Sequence, residues 1–270
     1  MNAPVWNLDP VMLAIPGLGL EIRYYGFIFA LVLVGGFFLF RWQVLRGRGS
    51  DDEAFGLVLP GTLGVILGAR LGHVFFYNLD RFLDDPLWLL RIWEGGLASH
   101  GATIGLILAL FYHSRHWKRP FWDTCDRFSF SAALGAALVR LGNFLNSEIV
   151  GRVTDGPFGV RFPRFDGYPP ELTPARYPSQ LAEFGLGLAV LAFLFWLDAR
   201  LGREKRPRGA LSAAFLIFYF TGRFLVEFIK ERHGDVDSFI LSRGQLLSLP
   251  GLALGLFLLW SIIKKRETKA

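Results

Sequence analysis

One cysteine, Cys125, stands in a chain of 270 residues. A single thiol excludes an intramolecular disulfide and any cysteine-built zinc or iron–sulfur site. Cys125 itself reads as a small residue near a helix start rather than a nucleophile. Histidines are few, five in all, and with so few carboxylates in the apolar stretches they form no metal-ligand set, so neither metal nor soluble cofactor is expected. No run alternates with period two, as a membrane barrel requires. No internal repeat and no inverted pair of broken helices appears, which weakens a secondary-transporter reading. The first 20 residues lack a basic stretch, and Asp9, Pro10, Pro16 and Gly17 interrupt any apolar core. No cleavable signal peptide is therefore expected, and this segment reads as a short interfacial lead into the first span.

What the chain has is apolar mass. Hydrophobic residues make up 52% of it, with 27 phenylalanines, and mean hydropathy is +0.37. They gather in long blocks, the pattern of an integral membrane protein. The formal net charge of +6 is then no argument for nucleic-acid binding, because excess Lys and Arg in a membrane protein sits in cytoplasmic loops and against anionic lipid. Seven blocks come near the roughly 18–25 residues that cross about 30 Å of hydrocarbon. They are Tyr24–Phe40, Glu53–Tyr77, Leu97–Tyr112, Trp122–Phe144, Ser179–Leu197, Gly209–Ile229 and Gly244–Ile263. The third is short, and the second contains Arg70 and His73.

Spans in lipid must satisfy their own backbone hydrogen bonds, so the predicted fold is all-α. It is a single integral membrane domain over residues 1–270 with about seven transmembrane helices. Residues 147–178, between spans four and five, are rich in Gly, Pro and aromatics. They predict turns and short strands forming a small external cap over a cavity. The loops after spans one, three and five and the tail hold 15 Lys and Arg, Lys269 among them, against 10 on the other side, Arg232 among them. That bias places the N-terminus outside and the C-terminus in the cytoplasm.

The sharpest feature is Val139–Arg152, VRLGNFLNSEIVGR, which closes an apolar run with Arg140, Asn143, Asn146, Glu148 and Arg152. A charge at the bilayer centre costs about 2.5–3.5 kcal/mol on insertion scales. Such a cluster points to a polar, protein-lined cavity that handles an anion. Four further clusters accompany it. Arg23, Tyr24, Tyr25 and Gly26 open span one and also suit a plain aromatic belt. In GARLGHVFFYN, Gly68–Asn78, Arg70 and His73 share a helix face. Arg70 suits an internal ion pair or a ligand contact equally, while Gly61, Gly64, Gly68 and Gly72 suit close helix packing. In WEGGLASHGATIG, Trp93–Gly105, His100 is a candidate base, or an interfacial histidine held by hydrogen bonds. Tyr219, Arg223 and Glu227, at spacing four, lie on one stripe of span six. Arg223 and Glu227 suit mutual neutralisation there, although Arg before Glu is the weaker order and leaves Arg223 freer. Guanidinium forks suit phosphate, and arginines within an apolar bundle suit a phospholipid head group.

These motifs together resemble the prolipoprotein diacylglyceryl transferase family of bacterial inner membranes. RLGNFLNSEIVGR resembles the family's most diagnostic motif, with Arg140, Gly142, Asn143, Asn146, Glu148 and Gly151 in place. RYYG carries Tyr25, GARLGHVFFYN the second-span motif, and SHGATIG carries His100 and Gly101. RYPSQLAE carries Arg176, Pro178, Ser179, Gln180 and Glu183, and Tyr219, Arg223 and Glu227 match the span-six trio. The chain departs from the family's usual residues at Ala102, Tyr177, Ala182, Phe220 and Arg243.

The resemblance implies transfer of the diacylglyceryl group of phosphatidylglycerol to the thiol of a prolipoprotein lipobox cysteine. A thioether forms and glycerol phosphate leaves, at the inner membrane, with the cap and N-terminus periplasmic. Within that reaction the substrate thiol needs a base, and His100 is the candidate. Arg140 and Arg223 are the candidates to clamp the phosphate as its charge grows. Asn143 and Asn146 would hold glycerol or phosphate oxygens, with Arg70, Glu148 and Gly151 also expected at the substrate. Glu227 is expected to orient Arg223, and Tyr25 and Tyr219 to line the head-group pocket. The rivals are a transporter for anions or lipids and an alcohol phosphatidyltransferase. The second would require a paired-aspartate metal motif inside a span, which the sequence lacks.

Overall fold

The computed structural model describes residues 3–15, 17, 19–231 and 241–268. Pro16, Arg232 and Lys269, weighed above, lie outside the described residues. Ten α-helices dominate what is described. They are α1 (Tyr24–Arg46), α2 (Asp51–Phe55), α3 (Val58–Tyr77), α4 (Leu79–Asp84), α5 (Ser99–His116), α6 (Phe121–Leu145), α7 (Pro163–Asp166), α8 (Ser179–Arg200), α9 (Ala210–Val226) and α10 (Arg243–Glu267). Four short strands complete the description: β1 (Val11–Ile15) with β2 (Leu20–Arg23), and β3 (Val160–Arg161) with β4 (Ala175–Arg176), both pairs antiparallel.

Six helical segments are long and apolar enough to cross a membrane: Tyr24–Arg46, Asp51–Tyr77, Phe121–Leu145, Ser179–Arg200, Ala210–Ile229 and Arg243–Glu267. Many of their large side chains point outward, Leu33, Phe38, Leu59, Phe76 and Phe257 among them. An apolar exterior of this extent suits lipid rather than water. The all-α integral membrane class is thus observed. The third predicted block does fold as a helix, α5, but it is not among the six. At 18 residues, with His100, His113, Arg115 and His116 along it, it is shorter and more polar than they are.

The chain divides into two compact units, one formed by residues 1–39 and 128–270 and the other by 40–127. In the larger, Phe130 and Ala133 of α6, Val190 and Leu194 of α8, and Leu211 and Ala214 of α9 make a closed apolar core. Ser131 Oγ donates to the Gly36 carbonyl at 2.6 Å, tying α6 to α1. Helix α10 begins with a capping box of Ser242 and Gln245 and tolerates Pro250 in its interior, as spans do when neighbours satisfy the freed carbonyl.

The cap segment forms as short strands and turns. β3 and β4 pair, Val153 bridges Arg176, and Val5 bridges Arg161. Arg176 is its staple. It forks onto Asp166, with Nη2 to Oδ1 at 2.6 Å, and reaches Glu231 at 2.8 Å. The Asp166 hydrogen bond, despite burial, raises its guanidinium further above its ordinary value.

In the smaller unit α3 packs on α5 through glycine. A Cβ added at Gly64 would meet the Gly105 carbonyl, and one at Gly68 or Gly72 would meet Gly101. Backbones approach this closely only where no side chain intervenes, so the packing role read for Gly64, Gly68 and Gly72 is observed. Gly61 differs, since a Cβ there would touch only Leu57 on the preceding turn.

Candidate active site

Helix α6 ends in the polar motif, and the backbone there turns sharply. Ser147 and Ile149 both take positive φ, 58° and 54°, a conformation that is strained for a β-branched residue. The turn is pinned from both sides. Glu148 N–H donates to the Asn143 carbonyl at 2.8 Å. Gln180 Nε2 donates to the Glu148 carbonyl at 2.7 Å, and Ser179 Oγ to that of Ile149 at 3.1 Å. The strain sends Glu148 back over the helix end, where Asn143 Nδ2 (3.4 Å) and Asn146 Nδ2 (3.3 Å) donate to its two carboxylate oxygens.

Arg140 stands one turn earlier. Its Nη1 donates to Asn143 Oδ1 at 3.3 Å, and its Nε lies 3.0 Å from Glu183 Oε2. That second contact is a charge contact whose angle falls outside a hydrogen bond, since Glu183 Oε2 accepts none. Glu183, on α8, is only 2% exposed. Its other oxygen accepts from Arg223 Nη1 of α9 at 3.1 Å and from Lys230 Nζ at 3.0 Å. One buried carboxylate therefore meets three cations. Among the described residues, Arg140 Nη2 and the Nε and Nη2 of Arg223 meet no acceptor. These edges remain able to grip an oxyanion, in a half-buried setting where such contacts are strong.

Glu227 does not orient Arg223, contrary to expectation. The α-helix ends at Val226 and a 3₁₀ turn over Glu227–Ile229 follows, but the Glu227 N–H still donates to the Arg223 carbonyl, so the two lie one helical turn apart while their side chains take other partners. Glu227 instead lies 3.2 Å from Lys230 Nζ and accepts from Ser242 Oγ at 3.1 Å. It rests at the start of α10, where a helix N-terminus favours an anion and where a Cβ at Gly244 would collide with it.

Tyr25, at the mouth of α1, lies beside Asn143, Glu148 and Arg140 and covers Gly142. Gly151 is a close-approach position, because a Cβ there would strike the Tyr177 and Ile229 carbonyls, and it bridges Lys230 through the backbone. Tyr219 packs against the apolar core and stacks on Phe215 at 5.4 Å.

The smaller unit holds the remaining two predicted residues. Arg70, 2% exposed, is neither in an ion pair nor open to a ligand. It spends its donors on the carbonyls of Trp88 (2.5 Å), Gly95 (2.6 Å), Leu89 (3.0 Å), Arg91 (3.2 Å) and Gly96 (3.4 Å), and it stacks over Trp88 at 4.4 Å. Loop carbonyls rather than a substrate satisfy it. His100, at the start of α5, is half-buried and has no hydrogen-bond partner among the described residues. It lines an open pocket of about 340 Å³ with His73, Tyr77, Leu97, Ala98 and Ser99. Asn78 Nδ2 lies 2.9 Å from His73 Nε2. No group of three or more His, Cys, Asp and Glu able to hold a metal occurs among the described residues.

Sequence reasoning gave no role to Glu183 or Lys230. The signal was available for Glu183, an ionisable residue inside an apolar block. Lys230 was indistinguishable from a loop charge.

The family profile described as prolipoprotein diacylglyceryl transferase matches residues 10–261. Proteins named phosphatidylglycerol–prolipoprotein diacylglyceryl transferase match along nearly all of the chain. That of Actinobacillus pleuropneumoniae serotype 3 is 39% identical over 269 residues, 96% of each chain. That of Aeromonas hydrophila is 38% identical over 274 residues, covering 97% of this chain and 93% of the relative. That of Vibrio cholerae serotype O1 is 39% identical over 264 residues, covering 94% and 92%. Matches of this length and identity reach every cluster described above, and the chain belongs to the prolipoprotein diacylglyceryl transferase family.

Proposed function

We propose that this protein transfers the diacylglyceryl group of phosphatidylglycerol to the thiol of a prolipoprotein lipobox cysteine. The observation that carries the reading is the pair of guanidiniums, Arg140 and Arg223, anchored on one buried carboxylate with donor edges left over. Residues 1–270 act as one domain in the bacterial inner membrane. Helix α5 makes the seventh crossing, the cap over 147–178 and the N-terminus lie in the periplasm, and the C-terminus lies in the cytoplasm.

In the reaction, His100 takes the thiol proton. The thiolate attacks the glycerol carbon that bears the phosphate, a carbon–sulfur bond forms, and the carbon–oxygen bond to phosphorus breaks. The electron pair leaves with glycerol phosphate, whose growing charge the two arginines stabilise. Asn143 and Asn146 hold head-group oxygens, Glu148 holds the two amides, and Tyr25 and Tyr219 line the head-group pocket. Glu227 and Gly151 shape the floor through Lys230. The scheme requires no metal or soluble cofactor.

The shared name of the relatives supports transfer over the transporter reading of the same arginines. Incubation of the purified chain with phosphatidylglycerol labelled in its diacylglyceryl moiety and a lipobox peptide tests it. Label bound to peptide through a thioether is expected. Unlabelled peptide together with phosphate flux into vesicles would instead favour the transporter.

A further inference from the structure

Arg140, Arg223 and Lys230 reach Glu183 from helix α6, helix α9 and the turn after α9. Long cationic side chains carry much rotamer freedom and repel one another in a weakly screened site. A single anion touching all three both gathers and aims them. Lys230 is fixed in turn. Its backbone bridges Gly151, it is 8% exposed, and its ammonium is shared between Glu183 and Glu227.

We infer that Glu183 and Lys230 are a positioning pair for the lipid phosphate: Glu183 aims the two guanidiniums, and Lys230 sets the charge the phosphate meets. The inference rests on the transfer reading above. Neither residue needs to touch substrate. With Lys230, the two arginines, Glu183 and Glu227 counted together, three cations stand against two carboxylates, which leaves a single positive charge.

Opposite effects on substrate affinity follow. Glu183→Gln adds a positive charge, so the KM for phosphatidylglycerol falls or holds, while kcat drops because the guanidiniums lose their anchor. Lys230→Met removes a positive charge, so KM rises and kcat drops. The double variant restores the charge, and KM returns toward the parent value while kcat stays low. Lys230→Arg, which can span the same two carboxylates, recovers both. A purely structural pair would not move KM in opposite directions.

The experiment measures kcat and KM for all four variants of the full chain in vesicles, with a lipobox peptide as acceptor. We expect kcat to fall about tenfold or more in the Glu183→Gln and Lys230→Met variants, with KM displaced about threefold in opposite senses. A parallel measurement compares melting temperature in phosphatidylglycerol and phosphatidylcholine vesicles. The stabilisation specific to phosphatidylglycerol should rank Glu183→Gln at or above the parent and Lys230→Met below it. Parallel KM shifts, an undiminished kcat in both single variants, or no recovery by Lys230→Arg would overturn the inference. Should Glu183→Gln fail to fold, Lys230→Met and Lys230→Arg decide it. A parent chain that transfers nothing refutes the transfer reading, and the vesicle ranking still judges the pair.

Discussion

Arg140 and Arg223 belong to different helices yet divide one carboxylate between them, Arg140 at Glu183 Oε2 and Arg223 at Oε1. This sharing converts two isolated charges in an apolar bundle into one jointly anchored pair of guanidiniums. It also makes guanidinium geometry, rather than charge alone, the property to vary.

Arg140→Lys and Arg223→Lys each keep the charge but lose the fork. Each is expected to lower transfer to a lipobox peptide by about a hundredfold, the scale seen when one preorganised donor is lost. Near-parental rates in both lysine variants would remove the clamp from the mechanism.

His100→Gln tests the base. A thiol with a pKa of about 8.5 ionises unaided above that value, so the deficit should be largest near neutral pH and shrink in alkali. A pH–rate profile parallel to that of the parent would exclude His100 as the proton acceptor.

Arg70→Met strips five carbonyls of their donor. A hydrogen bond to a charged group contributes about 1.5–3 kcal/mol net; the five share one guanidinium and do not add, and a loss of at least about 3 kcal/mol overall is expected. The readouts are a lower melting temperature and faster proteolysis between Pro86 and Gly96. An Arg70→Met chain as stable as the parent but impaired in lipid binding would return Arg70 to the substrate site.

Gly105→Leu should prevent α3 from closing on α5 and abolish accumulation of folded protein, because its side chain would enter the Gly64 backbone. Gly61→Ala, which faces no partner helix, should be tolerated within about 1 kcal/mol and gain slightly from helix propensity. Expression and thermal denaturation of the two variants, side by side, separate these outcomes.

Much of this was legible from residue order. Apolar length located the membrane-length helices, and the density of polar residues after Val139 located a cluster whose side chains do gather, since both are local properties of the chain. Three features were not legible, each for a stated physical reason. Arg70 is satisfied by carbonyls of a loop about 20 residues away, and carbonyls carry no side-chain signature. Glu227 stays one helical turn beyond Arg223 but pairs with Lys230 and Ser242, partners that a four-residue spacing does not announce. Lys230 draws its meaning from Glu183, 47 positions distant, whereas a tally of loop charges treats every lysine alike.

The glycine seam between α3 and α5 also governs which parts of the smaller unit can drift. Where two backbones meet without side chains there is no rotamer to relax, so the faces bearing Gly64, Gly68, Gly101 and Gly105 have almost no mutational latitude. Elsewhere on these helices exposed side chains such as Leu67 and Leu108 need only stay apolar, whereas Arg70 and His113 are buried. His100 immediately precedes Gly101 on the constrained face. The imidazole is thus carried on a helix whose approach to α3 is dictated by glycines.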